Sequence, residues 1–275
     1  MIDNKIAFIG GGNMARAIAG GLLRGGMHAT NIFISEPKEE QCEKLRKEFY
    51  GTYVSTDNKA VSNAAEIILF AVKPQILKSV CHELRETIQK TKPLIISIAA
   101  GPSIKDIDQW LGGNMAIVRV MPNQPAMIDQ GVSAMFANSL TQRENCLLAE
   151  KIMSAVGKAL WLEKESQMDA VTAISGTGPA YFYLLIDIMI KAAIENGMNP
   201  EISRMLAVET ARGASALSAS SPESMTSMIE RVRSPGGTTM AALEYLDSKE
   251  ARKIFSKAID VARERAKELA EEAKQ

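Results

Sequence analysis

The first fifteen residues constrain this chain more than any other stretch. Lys5-Ile6-Ala7-Phe8-Ile9 is a short apolar run of strand character. Gly10-Gly11-Gly12-Asn13-Met14-Ala15 follows at once, and residues 16–23 carry helical apolar spacing. Glycines at 10 and 12 and alanine at 15 give G-x-G-x-x-A between a strand and a helix, the context in which that spacing has a mechanism. Gly10 serves a tight turn, Gly12 lets the backbone approach a pyrophosphate, and Ala15 lets the helix pack close to the strand. The pattern predicts a dinucleotide-binding α/β unit at the start of the chain.

The alternation continues. Strands are predicted at residues 31–35, 52–54, 66–72, 94–99 and 116–121. Helices are predicted at 39–49, near 58–63, from 74 to about 90, and up to 111. The run Glu66-Ile67-Ile68-Leu69-Phe70-Ala71-Val72 is almost continuously apolar, as a central parallel strand buried on both faces must be. Strands 132–136 and 158–162, with a helix at 142–156, complete a doubly wound parallel sheet over residues 1–163. Ligands of such sheets bind at the carboxyl ends of the strands, where the loops 10–14, 71–74, 99–101 and 121–124 fall.

Beyond residue 163 no strand pattern recurs. Helical segments are expected at 168–172, 180–195, 201–217, 222–231, 239–246 and 250–274, so residues 164–275 form an all-α domain. Breaks are expected at Ser175-Gly176-Thr177-Gly178-Pro179, at residues 196–200 and at a short serine-rich linker, 218–221. Residues 181–190 are apolar nearly all round, so that helix must be buried on most sides. A helical domain this small covers it poorly. The expectation is a homodimer with interleaved helices; burial on the first domain is the alternative. The apolar run reads as too short and too interrupted for a membrane span.

Charge narrows the partners. Thirty-two basic and 32 acidic residues leave no electrostatic footprint for nucleic acid or an anionic membrane. Cys42, Cys81, Cys146, His28 and His82 lack metal-ligand spacing, so no metal is expected. Sparse, odd cysteines without a cleavable leader suit a reducing, cytoplasmic setting.

Two further stretches bear on ligands. In Ser234-Pro235-Gly236-Gly237-Thr238-Thr239, before a helical pattern, glycines allow a sharp turn and the threonines should cap the helix. Unpaired N–H groups and the helix dipole there make a seat for a small anion such as a carboxylate. An ordinary Pro-Gly turn capping a helix is the other reading. At the end of the second strand, Glu36 can accept a hydrogen bond from the ribose 2′-hydroxyl of NAD, whereas Ser35 and Lys38 can hold the 2′-phosphate of NADP. Glu36 is also a plausible helix-initiating acid, so the preference stays open.

The stretch Phe8-Ile9-Gly10-Gly11-Gly12-Asn13-Met14-Ala15, the tetrapeptide Ala71-Val72-Lys73-Pro74, residues 169–181 and Ser234–Thr239 together resemble the pyrroline-5-carboxylate reductases over almost the whole chain. The resemblance implies reduction of 1-pyrroline-5-carboxylate to L-proline with NADPH or NADH, the last step of proline biosynthesis. It implies a Rossmann domain followed by a helical dimerisation domain, with dimers often assembling further into rings. Carried over by position, the cofactor site falls on Phe8, Ile9, Gly10, Gly11, Gly12, Asn13, Met14, Ser35, Glu36, Asn58, Ala71, Val72, Lys73, Pro74, Ala99, Ala100 and Gly101. The substrate site falls on Glu165, Ser175, Gly176, Thr177, Gly178, Pro179, Ser234, Gly237, Thr238 and Thr239. Many bacterial members resembling this chain carry arginine near position 36. The chemistry needs positioning more than acid catalysis, because a protonated cyclic imine is already electrophilic. N–H groups of Gly237, Thr238 and Thr239 would seat the carboxylate, and the Thr239 hydroxyl is the candidate catalytic group, bonding the ring nitrogen. One rival is a β-hydroxyacid dehydrogenase using Lys191, although Asp187 stands where that family has glycine. Another is a nucleotide-sensing protein without catalysis.

Overall fold

Apolar alternation in short strands explains the sheet. In the computed structural model, which describes residues 2–274, strand β1 (Ile6–Ile9) has all four side chains buried. Met1 and Gln275, the ends of the two expected domains, lie outside the described residues. With β2 (Ile32–Ser35), β3 (Tyr53–Ser55), β4 (Ile67–Phe70), β5 (Leu94–Ser97), β6 (Ile117–Met121), β7 (Gly131–Ala137) and β8 (Gly157–Trp161), β1 forms one sheet of order 3-2-1-4-5-6-7-8. Helices α1 (Asn13–Arg24), α2 (Glu39–Glu48), α3 (Asn58–Asn63), α4 (Pro74–Thr91), α5 (Ile104–Leu111) and α6 (Arg143–Ser154) connect the strands.

The pleat sorts the strand residues into two cores. Ile6 and Phe8 join Ile18 of α1, Leu45 of α2 and Ile152 of α6 on one face. Ala7 and Ile9 join Val61 of α3, Leu77 of α4 and Ile107 of α5 on the other. Strand β1 pairs in parallel with both β2 and β4, so the order reverses at β1 and opens a crevice beyond its carboxyl end.

The last two strands depart from the expected parallel run. Strand β7 is antiparallel to β6, and β8 is parallel to β7. Between β6 and β7 stands only a 3₁₀ turn, Gln124–Ile128, too short for the crossover that a parallel return requires.

The chain divides into two compact units: Met1–Gly176 with Ala262–Gln275, and Thr177–Val261. The first holds the sheet and α7 (Met168–Val171). The second is helical: α8 (Gly178–Glu195), α9 (Pro200–Ser220), α10 (Met225–Val232), α11 (Thr238–Ser248) and the first part of α12 (Ala251–Glu272). Helix α9 absorbs most of the expected serine linker, since only Ser221 falls outside it, as its extended C-cap.

The expected break at residues 175–179 narrows to Thr177, a bend between two helical segments. Residues Thr172–Gly176 form a π-helical turn and α8 resumes at Gly178, with Pro179 in its first turn where a missing N–H costs nothing. The helical segment Glu165–Glu195 spans 31 residues and holds an 18-residue window of mean hydropathy 1.3, enough in length and composition alone to cross a membrane. That corrects the reading of this run as too short and interrupted. Within the chain the stretch is poorly covered: Phe182, Leu184 and Ile188 are 57%, 53% and 51% exposed.

Candidate functional site

Strands β1, β2, β4, β5 and β6 run parallel, so the loops after them share one edge of the sheet. Gly10 leaves β1 at φ +103°, and a Cβ there would stand 2.9 Å from the Ala71 carbonyl oxygen. Only glycine allows both that angle and that approach. The Gly10 N–H donates to the Ser35 carbonyl (2.9 Å) and the Ala71 N–H to that of Ile9 (2.8 Å), tying together the ends of β1, β2 and β4. Phe8 and Ile9 are fully buried, so their side chains serve the two cores and only their backbone faces the turn.

Gly12 is exposed, and no atom lies within 4 Å of a Cβ built there. It N-caps α1 without any side-chain cap, and the first turn of α1 holds no acid. Unpaired N–H groups and a positive helix end therefore face open space beside exposed Asn13 and half-buried Met14. Helix α4 also starts without an acid, at Pro74 behind exposed Lys73; Ala71 and Val72 before them are half-buried.

At the end of β2, Glu36 turns back to the glycine loop. Its Oε2 accepts the Gly11 N–H at 3.2 Å, and its Oε1 has a longer contact, 3.4 Å, with the Lys38 N–H. Ser35 is 1% exposed, and its hydroxyl donates to Asn58 Oδ1. Asn58 Nδ2 in turn donates to Glu83 at 3.0 Å. An open cradle at Gly12, an acid-free helix start and a carboxylate at the second strand end fit a dinucleotide. The α1 N-terminus would hold its pyrophosphate and Glu36 would face its adenosine ribose.

The third loop, Ala99-Ala100-Gly101, is braced from below. Arg119, 7% exposed, donates to the Gly101 carbonyl (3.0 Å) and pairs with Glu165 (3.0 Å). Glu165 Oε1 also accepts the Ile104 N–H at 2.7 Å. The Glu165 carboxylate is therefore engaged within the first unit. A hollow of about 240 Å³ opens beside this pair, lined also by Ser103, Asp106 and Lys274. The N-terminus of α5 is closed to an anion, because Ser103 and Asp106 cap each other.

Ser175 lies in the π turn, its hydroxyl 3.4 Å from Asn123 Nδ2, and Gly176 presses on Met121, where a Cβ would stand 2.4 Å from the methionine methyl. Thr177, Gly178 and Pro179 open α8. Asn123 and Arg119 escaped the sequence reading. Their signals were an arginine inside the apolar run Ile117-Val118-Arg119-Val120-Met121, and an asparagine just past the strand end.

In the second unit, Ser234–Gly237 is a tight turn: the Gly237 N–H donates to the Ser234 carbonyl at 3.0 Å, and Gly236 takes φ +71°. Gly237, not a threonine, N-caps α11, without a side-chain cap. Two expectations are corrected here. The threonines do not cap the helix, and the Gly237 N–H is spent inside the turn. Thr238 and Thr239 open α11 with no acid in its first turn, and their N–H groups and hydroxyls remain available to a ligand. Nearby charges are paired off: Arg231 with Glu223 (2.6 Å) and Arg233 with Glu230 (3.3 Å).

The rival lysine is unsuited to proton abstraction. Lys191 is paired with Asp187 at 2.7 Å, and that hydrogen bond pushes its pKa up, away from a base. All three cysteines are free, and burial drives the Cys81 thiol up to about 12. Among the described residues no group of three His, Cys, Asp or Glu side chains stands close enough to hold a metal.

Comparison with known proteins completes the picture. Residues 165–269 match a family model described as pyrroline-5-carboxylate reductase dimerisation, and residues 5–101 match one described as NADP oxidoreductase, coenzyme F420-dependent. The chain is 41% identical over 272 residues to a pyrroline-5-carboxylate reductase of Pseudomonas aeruginosa, covering 99% of each. It resembles the solved pyrroline-5-carboxylate reductase of Coxiella burnetii at TM-score 0.91 and 36% identity, over 98% of this chain and 99% of that one. It also resembles the Plasmodium falciparum pyrroline carboxylate reductase solved with NADP bound, at TM-score 0.88 and 29% identity, with the same coverage.

Proposed function

The chain belongs to the pyrroline-5-carboxylate reductases, and on that premise we propose that it reduces 1-pyrroline-5-carboxylate to L-proline, the last step of proline biosynthesis. The observation that carries the reading is the Ser234–Thr239 turn. It offers a small anion two uncommitted N–H groups at an acid-free helix start. When bound, NADH or NADPH supplies the hydride that the imine carbon receives.

The chain's own residues bind and orient. The loop Gly10–Asn13, with Glu36, Asn58 and the loops at 71–74 and 99–101, holds the dinucleotide. The Thr238 and Thr239 N–H groups and the Ser234 hydroxyl seat the substrate carboxylate. Residues 175–179 shape a substrate wall, and Glu165 braces the Ala99–Gly101 loop through Arg119 and the Ile104 N–H. The Thr239 hydroxyl bonds the ring nitrogen and passes a proton from water. Thr239→Ala should lower kcat for pyrroline-5-carboxylate by roughly tenfold or more, the loss of one transition-state hydrogen bond. Steady-state assay of that variant tests the role, and unchanged kcat and KM would reject it.

The working form is a homodimer with interleaved helices. The match of residues 165–269 to a dimerisation model and the exposed apolar side chains of α8 support it. A ring of dimers is the larger assembly that the family resemblance implies. The balanced charge and free cysteines suit a cytoplasmic enzyme of small molecules, apart from nucleic acid and membranes.

A further inference from the structure

The corner beyond β2 carries an inference that rests on the dinucleotide reading and goes past it. We propose that Glu36 makes this chain select NADH over NADPH. Two groups could have received a 2′-phosphate, Ser35 and Lys38. The structure removes the first: the Ser35 side chain is buried, and its hydroxyl is spent on Asn58. Asn58 adds no cation, and its amide is held by a second carboxylate, Glu83.

What stands at the corner instead is the Glu36 carboxylate. It is fixed by the Gly11 N–H through Oε2, while Oε1 has only the long contact to the Lys38 N–H. Oε1 therefore keeps acceptor capacity for a ribose hydroxyl, which NADH offers. NADPH would bring a phosphate of like charge to the same place, and like charges brought together are costly. On α2, which opens just beyond, Arg46 pairs with Glu39 and Lys44 with Glu40. Lys38, next to the corner, is flanked in sequence by Glu36, Glu39 and Glu40.

The test is binding, without substrate or turnover. Isothermal titration calorimetry of the full chain with NADH and with NADPH should give a Kd lower for NADH by roughly tenfold or more. Glu36→Gln keeps an acceptor for the Gly11 N–H and removes the charge. It should tighten NADPH binding by roughly tenfold and leave NADH within a few-fold. Glu36→Asp keeps the charge and should keep the preference. Wild-type protein binding NADPH as tightly as NADH would overturn the proposal and leave the dinucleotide site standing, as would a Gln variant with an unchanged ratio. If neither nucleotide binds the wild-type chain, the dinucleotide reading falls, and this proposal with it.

Discussion

At the end of β1, one backbone angle decides whether three strand ends can meet. Gly10 sits at φ +103° with the Ala71 carbonyl just beyond its Cα, so a methyl group there is both strained and crowded by backbone that cannot step aside. Gly10→Ala should destabilise the protein by about 1–3 kcal/mol and weaken dinucleotide binding with it. Urea unfolding and nucleotide titration of the variant would check both, and wild-type values would show that the loop has room. This position was legible in advance, because a tight turn after a strand has a local cause. Arg119 and Glu165 were not. A charge inside an apolar strand says that a partner exists, but the partner lies 46 residues away and only the fold names it.

Helix α8 raises the same issue at the scale of an element. Its all-round apolar composition foretold that it must be covered, and the structure leaves Phe182, Leu184 and Ile188 at least half exposed within one chain. Light scattering should report a particle of about twice the 29.8 kDa chain mass or a higher even multiple. Leu184→Glu together with Ile188→Glu should shift it toward one chain. A wild-type particle of a single chain mass would end the dimer proposal. The entry into α8 was misjudged for a physical reason. Glycine and proline signal a break of five residues, yet a π turn carries the helix to Gly176, only Thr177 bends out of it, and Pro179 falls where a helix tolerates it. The turn before α11 was half legible. Its composition announced a helix start, but which N–H groups remain for a ligand depended on the Gly237 bond to Ser234.

Across the whole molecule, the end of the chain returns to its beginning. Residues 262–275 belong to the first unit although they follow the second in sequence. Ala270 backbone lies so close to Gly101 that a Cβ on the glycine would stand 3.2 Å from its Cα, and Lys78 donates to the Lys274 carbonyl at 2.7 Å. The tail of α12 thus backs the Ala99–Gly101 loop. Deleting residues 269–275 should lower Tm by several degrees and raise the Kd for the dinucleotide. Differential scanning calorimetry and the same titration would measure these, and unchanged values would make the tail dispensable. Two classes of information separate here. Strand and helix alternation, the glycine spacing after β1 and the need to cover α8 were determined by sequence alone, because each follows from local backbone sterics or side-chain periodicity. The antiparallel return of β7, the engagement of Ser35 by Asn58, the Arg119–Glu165 brace and the docking of the tail were decided by tertiary structure. Each depends on which distant groups the sheet brings within hydrogen-bonding or van der Waals reach, and Lys78 and Lys274 meet across 196 residues of chain.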